Sequence, residues 1–331
     1  MRQVLQELGA KHEDFENYLQ IYQEGTMEIH PACHNKFASI RNIYFTKRHN
    51  NDNVEDVFNS TAKILPHVPN RNSDPSFIAL NGGLSYRPYG KVHDWMLFNT
   101  VFIALEKLVI HLLDPKSPNL PHESFDKNGF LIQNIFAKTV VSNKIGTSLV
   151  SPEGIHQDGN HVGLMMMGLH KNIAGGCGES RIFSNDAPSG PYGISGGKTN
   201  LTKSQSEDEV STREKYILLN HTMKEPFEAI VVIDQNVKHE VRGGLVRIKK
   251  DQDGERGMHL MFGRRPVVDG WEKEYDGVSY KKAKEVFLQE GSLDNIFSKY
   301  HDDFSEYSRI YWEHLKRTKS FFPGQTLTFD E

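Results

Sequence analysis

SPEGIHQDGNHVGLMMMGLHKN, residues 151–172, places a histidine and an aspartate two positions apart, just before a run of apolar residues. The run VGLMMMGL predicts a buried β-strand. Because positions i and i+2 of an extended chain lie on one face, His156 and Asp158 can point in the same direction where that strand begins. The stretch therefore indicates either an ordinary polar turn before a buried strand or half of a metal site that faces an apolar pocket.

The composition favours a globular protein that works in a reducing compartment. The chain has 331 residues, of which 37% are hydrophobic and 25% charged, with a formal net charge of −4, so neither nucleic acid nor a membrane surface is an expected partner. The two cysteines, Cys33 and Cys177, form no CxxC pattern and predict no disulfide framework. The first residues do not have the pattern of a secretory signal, and no apolar run reaches the roughly 20 residues of a membrane helix. We expect a cytoplasmic protein.

Helices are predicted towards both ends of the chain and strands in its middle. Residues 1–24, 94–113 and 280–319 have apolar residues at helical spacing, whereas residues 45–90 are polar and predict mostly loop. Between Leu131 and Phe262, short runs rich in Val, Ile, Leu and Met alternate with turn sequences. This pattern predicts a β-sandwich or jelly roll that is buttressed by helices.

Two connecting segments carry further predictions. VRIKKDQDGERGMHLMF, residues 246–262, predicts a hairpin with its turn at Asp253-Gly254. Residues 185–214 are rich in Gly, Ser, Thr and Pro, and a loop of that length in a compact domain is usually a functional lid or a disordered insertion. Both interpretations of this insert stay open.

A reactive metal needs a third ligand beside His156 and Asp158. The two other His-x-Asp patterns begin at His12 and His301 and fall in predicted helices, where residues two apart point about 200° apart, so they predict solvated surface. Two histidines and one carboxylate would occupy one face of an octahedral iron and leave positions open for chemistry. The downstream candidates for the third ligand are His161, His170, His221, His239 and His259. His239 is the best placed, because it follows the strand AIVVID and the turn DQN; the alternative is an ordinary surface histidine.

Four blocks of sequence, PEGIHQDG, NIAGGCGESRIF, IDQNVKHEV and ERGMHLMF, occur in this order. They resemble the iron(II)/2-oxoglutarate dioxygenases that hydroxylate free L-amino acids, the L-isoleucine hydroxylase-like family. The similarity covers residues from about 130 to 262. GGCGES is longer than the family's Gly-Gly-x-Ser, and the 185–214 insert is longer than the family leads us to expect.

The resemblance implies an α+β fold with a double-stranded β-helix core, of the jelly-roll or cupin-like kind. On this interpretation residues 1–331 form a single dioxygenase domain. Residues 1–125 give helical or irregular support, residues 126–268 form the catalytic core with the lid-like insert 185–214, and residues 269–331 form C-terminal helices.

The resemblance also implies the roles of individual residues. His156, Asp158 and His239 are the implied iron ligands, and Arg256 is the implied partner of the far carboxylate of 2-oxoglutarate. A guanidinium suits that carboxylate because it pairs in a bidentate manner and stays charged. Arg242 and Arg247 are the alternatives to Arg256. For each of Met165, Met166 and Met167, plain core packing is the expected role, since at most alternate members of the run can face a pocket.

The implied cofactors are Fe(II), 2-oxoglutarate as co-substrate and O2. The implied reaction is hydroxylation of an unactivated C–H bond in a small, aliphatic free L-amino acid, with release of succinate and CO2, in secondary metabolism. Oxidative cyclisation to an aziridine-type ring, or desaturation, of an amino acid such as valine is the alternative outcome. A non-catalytic metal-binding jelly-roll protein is a more distant alternative.

Overall fold

The computed structural model describes residues 1–23, 27–29, 36–45, 53–67, 70–71, 84–87, 89–113, 129–144, 146–150, 154–175, 177–189, 213–242, 245–249, 251–264 and 277–318. Within these ranges β-sheets form the centre of the molecule and helices pack around them, which confirms a mixed fold of helices and sheets. Residues 190–212, most of the segment predicted as a lid or insertion, lie outside the described part of the chain.

The strands are numbered along the chain. They are β1 (Glu28–Ile29), β2 (Lys36–Phe45), β3 (Ala62–Ile64), β4 (Asn70–Arg71), β5 (Tyr86–Arg87), β6 (Gly90–Lys91), β7 (Phe130–Val141), β8 (Thr147–Leu149), β9 (Val162–Lys171), β10 (Ser180–Ser184), β11 (Ile217–His221), β12 (Ala229–Val232), β13 (Val237–Val241), β14 (Leu245–Arg247), β15 (Gly254–Arg264) and β16 (Val278–Ser279).

A large, mainly antiparallel sheet organises these strands. Its order is β12-β9-β15-β7-β2-β3-β16, and β1 and β6 also pair with β2. Opposite it lies a small sheet with the order β11-β10-β13, and β14 pairs with β8. Strand β2 comes from the first 45 residues yet lies beside β7 along its whole length, from Lys36 opposite Thr139 to Phe45 opposite Phe130. The N-terminal region therefore supplies sheet as well as the helical and irregular support predicted for residues 1–125.

The helices are also numbered along the chain. They are α1 (Arg2–Glu7), α2 (Asp14–Leu19), α3 (Val54–Thr61), α4 (Thr100–Leu112), α5 (Tyr280–Glu290), α6 (Asp294–Phe297) and α7 (His301–Thr318), with 3-10 turns at Gln20–Tyr22, Asp94–Phe98, Asp234–Asn236 and Ser298–Tyr300.

Each long predicted helix is divided in the structure. In the 94–113 segment, Asn99 has an extended backbone and its side chain accepts from the amides of Val101 and Phe102, so it caps a new helix after a 3-10 turn. In the C-terminal segment, α5 ends at Gly291 with a left-handed φ of 72°. The apolar spacing continues through both interruptions, so it predicted one uninterrupted helix in each segment. The 45–90 segment, predicted as mostly loop, contains helix α3 and strand β3.

The predicted hairpin at Asp253-Gly254 is wrong. Strand β14 pairs with β8, whereas β15 pairs with β7 and β9, so the connection between β14 and β15 crosses from one sheet to another. Gly254 is already the first residue of β15 and does not have a positive φ. A strand lies on each side of the predicted turn, but the local sequence does not determine which partner each strand pairs with.

The two faces of the large sheet bury different groups. Phe102, Leu105 and Val109 of α4 pack with Met166 and Met261 on the helix-covered face. On the opposite face a second cluster lies between the two sheets, formed by Met167, Ile182, Met223, Ile230, Val232 and Met258 with Met165, Val237 and Leu260 at its edge. Full burial of one such side chain contributes roughly 1.5–3 kcal/mol. Both faces are therefore parts of the core, and the space between the sheets is lined by apolar residues.

Candidate active site

The two predicted histidine ligands are direct cross-strand neighbours. His156 and His239 form an antiparallel bridge, in which the amide of His156 donates to the carbonyl of His239 (3.0 Å) and the amide of His239 donates back (2.8 Å). Their rings lie 4.4 Å apart between centroids. Residues paired in this way share a face of the sheet. His239 is the third residue of β13 and pairs with Ile182 on β10, which packs into the apolar cluster between the sheets, so both imidazoles face that space.

Asp158 completes a group of three possible ligands. Its Oδ2 lies 3.3 Å from His239 Nε2 and its Oδ1 lies 3.7 Å from His156 Nε2. One ligand atom from each of the three residues lies within 4.8 Å of the others. Gly159 follows with a φ of +73°, a conformation that favours glycine, so the chain turns away from the group immediately after Asp158. Among the described residues this is the one such group, and the patterns that begin at His12 and His301 form none.

Each imidazole has its second nitrogen directed at an acceptor. His156 Nδ1 lies 2.8 Å from the carbonyl oxygen of Gly154, to which it donates. His239 Nδ1 lies 3.6 Å from Oδ1 of Asp234, a carboxylate that is 1% exposed. Both rings therefore turn Nε2 towards Asp158. Imidazoles that bind metals are commonly fixed in this way, with the distal N–H given to a carbonyl or carboxylate.

The charges around the three residues support one another. Partial withdrawal from water would raise the pKa of Asp158, but the bond from His239 and the charges of His239, His156 and Arg87 hold that pKa well below its usual range. Burial alone would lower the pKa of His239, yet the bonds and charges of Asp158 and Asp234 raise it to about 10. The site is thus an electrostatically coupled set that favours an ionised carboxylate beside a positive charge, and a bound cation can take the place of that charge.

Arg256 is buried on the same inner face, near the start of β15. It is 6% exposed, and its guanidinium donates to the carbonyl of Gly178 over 3.4 Å. It forms no ion pair with any residue in the described ranges, and burial lowers its pKa to about 10. Met258 and Leu260, two and four residues further along the strand, face the cluster that contains Ile182 and Val237. Among the described residues, Arg256 is therefore a buried cation without a carboxylate partner. It faces the space between the sheets from the large sheet, as His239 does from the small sheet.

The two alternative arginines point elsewhere. Arg242 is exposed and forms an ion pair with Glu179 over 3.5 Å. Arg247 is exposed on β14 and pairs with Thr147 of β8. Neither is buried, so the geometry singles out Arg256 among the three.

The other candidate histidines are spread over the fold. His221 ends the exposed strand β11, and His161 and His170 flank or lie on β9. His259 is fully buried on the helix-covered face of β15, between Tyr18 and Asn134. None of these four belongs to the group formed by His156, Asp158 and His239.

The methionine run divides between the faces as a strand requires. Met166 lies in the helix-side core, whereas Met165 and Met167 belong to the cluster between the sheets. Core packing holds for Met166 and Met167, which are both 0% exposed.

Sequence reasoning missed two residues near the group. Asp234 belongs to the predicted turn and to the block IDQNVKHEV but had no predicted role, and Arg87, 6% exposed on β5, had none either. The position of Asp234 five residues before His239 is the one available signal for it. Arg87 is distant in sequence from every motif, so no signal in the sequence pointed to it.

Comparison with known families shows which family the chain belongs to. The model of the 2OG-Fe dioxygenase family matches residues 46–262, which is more than half of the chain. The protein belongs to the 2OG-Fe dioxygenase family. It is accordingly an oxygenase that uses Fe(II), 2-oxoglutarate and O2, and the group of two histidines and one aspartate is a possible metal centre for it.

Solved structures agree at the level of the fold. The Fe(II)/(alpha)ketoglutarate-dependent dioxygenase TqaL is 16% identical with a TM-score of 0.53, covering 82% of this chain and 80% of its own. A bsmA homolog from Methylobium petroleophilum PM1 is also 16% identical with a TM-score of 0.53, covering 79% of this chain and 85% of its own. No curated protein matches the sequence significantly. In the described residues, no helix is both long enough and apolar enough to cross a membrane.

Proposed function

We propose that this oxygenase oxidises an unactivated C–H bond of a small, aliphatic free L-amino acid, giving a hydroxylated product with succinate and CO2. The observation that carries the proposal is that His156, Asp158 and His239 converge at the space between the sheets, which Arg256 also faces, buried and without a carboxylate partner among the described residues. We further propose that residues 1–331 form one domain with a double-stranded β-helix core. The opposed sheets that hold His239 and Arg256 support that description.

His156, Asp158 and His239 are the proposed ligands of the iron. Two neutral imidazoles and a carboxylate on one side of a cation form the facial set that suits Fe(II) in oxygenases. The donors fit this role, because both Nε2 atoms and the carboxylate converge while both Nδ1 atoms face acceptors. When bound, Fe(II) with 2-oxoglutarate and O2 supplies the oxidant that removes hydrogen from the substrate carbon.

Arg256 is the proposed anchor for the far carboxylate of 2-oxoglutarate. Leaving a guanidinium buried and unpaired costs free energy, and a bound carboxylate would offset that cost through charge-assisted hydrogen bonds. The backbone at Gly178 allows this placement. A Cβ there would lie 3.0 Å from Arg256 Nε, and the φ of +70° is one that side chains rarely adopt.

Arg87 is the proposed anchor for the α-carboxylate of the amino acid. Its guanidinium donates to Tyr89 Oη over 3.4 Å, and its charge is one of those that lower the pKa of Asp158, which supports a position near the proposed ligands. Tyr89 packs against Ile40, Ile135 and Phe262 on the inner face of the large sheet. Arg87 and Arg256 would then each hold one acid, and the apolar residues of the cluster between the sheets would receive an aliphatic side chain.

The test is succinate release across a panel of free L-amino acids, with the product mass read in parallel. Hydroxylation adds one oxygen atom to the substrate, whereas ring closure or desaturation removes two hydrogen atoms, so the masses separate the alternative outcomes. Stimulation of succinate release by an aliphatic L-amino acid is the expected result. Stimulation by none of the panel, with 2-oxoglutarate still consumed in the absence of substrate, would remove the substrate proposal and leave the enzyme class standing.

A second experiment isolates Arg87. Arg87→Ala should raise the KM for the amino acid and leave the KM for 2-oxoglutarate unchanged. The matching amide, which lacks the carboxylate charge, should bind weakly to the wild type and equally weakly to the variant. If Arg87→Ala weakened acid and amide by the same factor, the arginine would not be the carboxylate anchor.

The insert 185–214 stays a prediction. Its replacement by a Gly-Ser linker should keep iron and 2-oxoglutarate binding, weaken amino-acid binding, and raise the succinate released per product if the insert is a lid. Unchanged substrate affinity and coupling would identify a surface insertion.

A further inference from the structure

We infer that Asp234 is a positioning residue that locks the two halves of the metal site together. The inference rests on the proposed ligand roles of His156, Asp158 and His239. Asp234 opens the 3-10 turn Asp234–Asn236 directly before β13, and it is 1% exposed.

The side chain of Asp234 contacts both segments that carry the ligands. Oδ1 lies 3.6 Å from His239 Nδ1, an ion-pair distance. Oδ2 accepts from the backbone amide of Asn160 over 2.8 Å, two residues after Asp158. One carboxylate therefore touches the strand of the distal histidine and the loop of the His-x-Asp pair.

The backbone of the same residue adds a third contact. Gln157, which lies between the two ligands of the loop, donates its Nε2 to the carbonyl of Asp234 over 2.6 Å and to that of Val237 over 3.1 Å. The loop is thus attached at positions 157 and 160, on both sides of Asp158.

The chemistry of imidazole explains why a carboxylate is needed here. A neutral histidine carries its proton on one nitrogen, and an acceptor at Nδ1 selects the tautomer whose Nε2 lone pair is free for a metal. For His156 the acceptor is the backbone carbonyl of Gly154, which every residue type would supply. For His239 the acceptor that faces Nδ1 is the carboxylate of Asp234, at an ion-pair distance of 3.6 Å and not a hydrogen-bond distance, so this half of the selection depends on one residue.

The two donors that face Asp234 make asparagine a sharp test. The Asn160 amide and His239 Nδ1–H are both donors, and a carboxylate offers an acceptor to each. An asparagine of the same shape has one acceptor oxygen and one NH2 group, so it satisfies one donor and opposes the other. Asp234→Asn should therefore loosen the site with little change in packed volume.

The experiment measures Co(II) binding by calorimetry under anaerobic conditions, without substrate, in folded wild-type and variant protein. Asp234→Asn should weaken Co(II) affinity by about 10- to 100-fold. Asp186→Asn, an exposed aspartate nearby, is the matched control and should bind as the wild type does. Imidazole ¹⁵N chemical shifts of the Zn(II)-saturated protein, in which His239 is neutral, should show a proton fixed on Nδ1 of His239 in the wild type and a mixture of states in Asp234→Asn.

The outcomes separate this inference from the proposed ligand set. Co(II) affinity within about twofold of the wild type in Asp234→Asn, with the tautomer unchanged, would overturn the role of Asp234. A lower melting temperature of the metal-free variant with unchanged affinity would show a merely structural residue and also overturn it. Loss of Co(II) binding in His239→Ala alongside either result would leave the ligand set intact, whereas retention of binding in His239→Ala would reject the ligand set itself.

Discussion

His239 is partly buried and His259 is fully buried, they lie on neighbouring sheets, and their surroundings differ in kind. His259 accepts from the Tyr18 hydroxyl at Nδ1, and its Nε2 lies 3.0 Å from Asn134 Oδ1, with its ring stacked on Phe136. Burial lowers its pKa to about 3. His239 instead lies between the carboxylates of Asp158 and Asp234, which raise its pKa to about 10. The neutral partners on both nitrogens of His259 suit a structural role, whereas the two carboxylates beside His239 suit metal chemistry.

The partners of His259 extend into a neutral polar chain. Asn134 Nδ2 donates to Glu106 Oε1 over 2.6 Å, so its Oδ1 accepts from His259 Nε2. Glu106 is 0% exposed, and burial raises its pKa to about 8. Within the described part of the chain, no arginine or lysine forms an ion pair with it. This chain of polar groups on the helix side of the large sheet is therefore neutral, whereas the groups around His239 are charged.

The largest expected effects come from replacing each of the two histidines by alanine. His239→Ala should abolish turnover and change the free energy of unfolding of the metal-free protein by no more than about 1–2 kcal/mol. His259→Ala should lower that free energy by about 3–5 kcal/mol, because a cavity and unpaired polar groups remain in the core. Succinate release and urea denaturation measure the two quantities.

His156→Ala and Asp158→Ala should behave as His239→Ala does. Turnover near the wild-type rate in His239→Ala would contradict the ligand assignment and direct attention to His221 or His259.

The next effect concerns the buried cation of the inner face. Arg256→Ala should raise the KM for 2-oxoglutarate on the order of 100-fold, since the co-substrate loses a buried charge-assisted partner. Arg256→Lys should recover part of the loss, because an ammonium cannot reproduce the bidentate fork. Arg242→Ala is the matched control and should be near wild type, given its exposed ion pair. A larger effect from Arg242 or Arg247 would show that the wrong arginine was assigned.

The buried carboxyl on the helix side predicts a pH dependence of stability. The folded-state pKa of Glu106, about 8, lies above its ordinary value of 4.5. Its contribution is therefore fully present below the ordinary value and is lost as the pH rises towards 8. Glu106→Gln should remove this decline, since the amide stays neutral and can still accept from Asn134. Urea denaturation of both proteins at several pH values in that window is the measurement, and parallel profiles would contradict a neutral buried carboxyl.

The smallest expected effect tests how closely the backbone holds Arg256. Gly178→Ala places a Cβ against the guanidinium in a strained conformation and should raise the KM for 2-oxoglutarate by roughly tenfold, less than Arg256→Ala does. Gly175→Ala is the control, because nothing lies within 4 Å of a Cβ there. Equal KM values in the two variants would show that Gly178 does not position the arginine.

The sequence predicted the mixed fold of helices and sheets, and the group that it proposed as metal ligands lies together in the structure. The two-residue period of an extended chain predicted that His156 and Asp158 point in the same direction, and in the structure their side chains lie together. The chain turns at Gly159, as the glycine allows. The choice of His239 and Arg256 needed the family resemblance, because spacing alone left several histidines and arginines open. In the structure His239 and Arg256 both face the space between the two sheets.

The parts that failed depend on contacts between distant segments. The supposed hairpin at Asp253-Gly254 joins two different sheets, and partner choice between strands is not written in either strand alone. Arg87 is distant in sequence from Asp158, and Asp234 from Asn160, and only the folded chain brings each pair close. The helices are interrupted at Asn99 and Gly291, which are residue types that commonly cap helices. The prediction followed the apolar spacing and did not use these capping residues.

The most direct test of the account is an anaerobic titration of Fe(II) and 2-oxoglutarate, followed by the visible charge-transfer absorption that arises when the keto acid chelates the iron. The wild type should develop this absorption at stoichiometric Fe(II). His239→Ala should show none, and Arg256→Ala should reach the same amplitude only at a much higher concentration of 2-oxoglutarate. An unchanged absorption in His239→Ala would contradict the proposed centre of His156, Asp158 and His239.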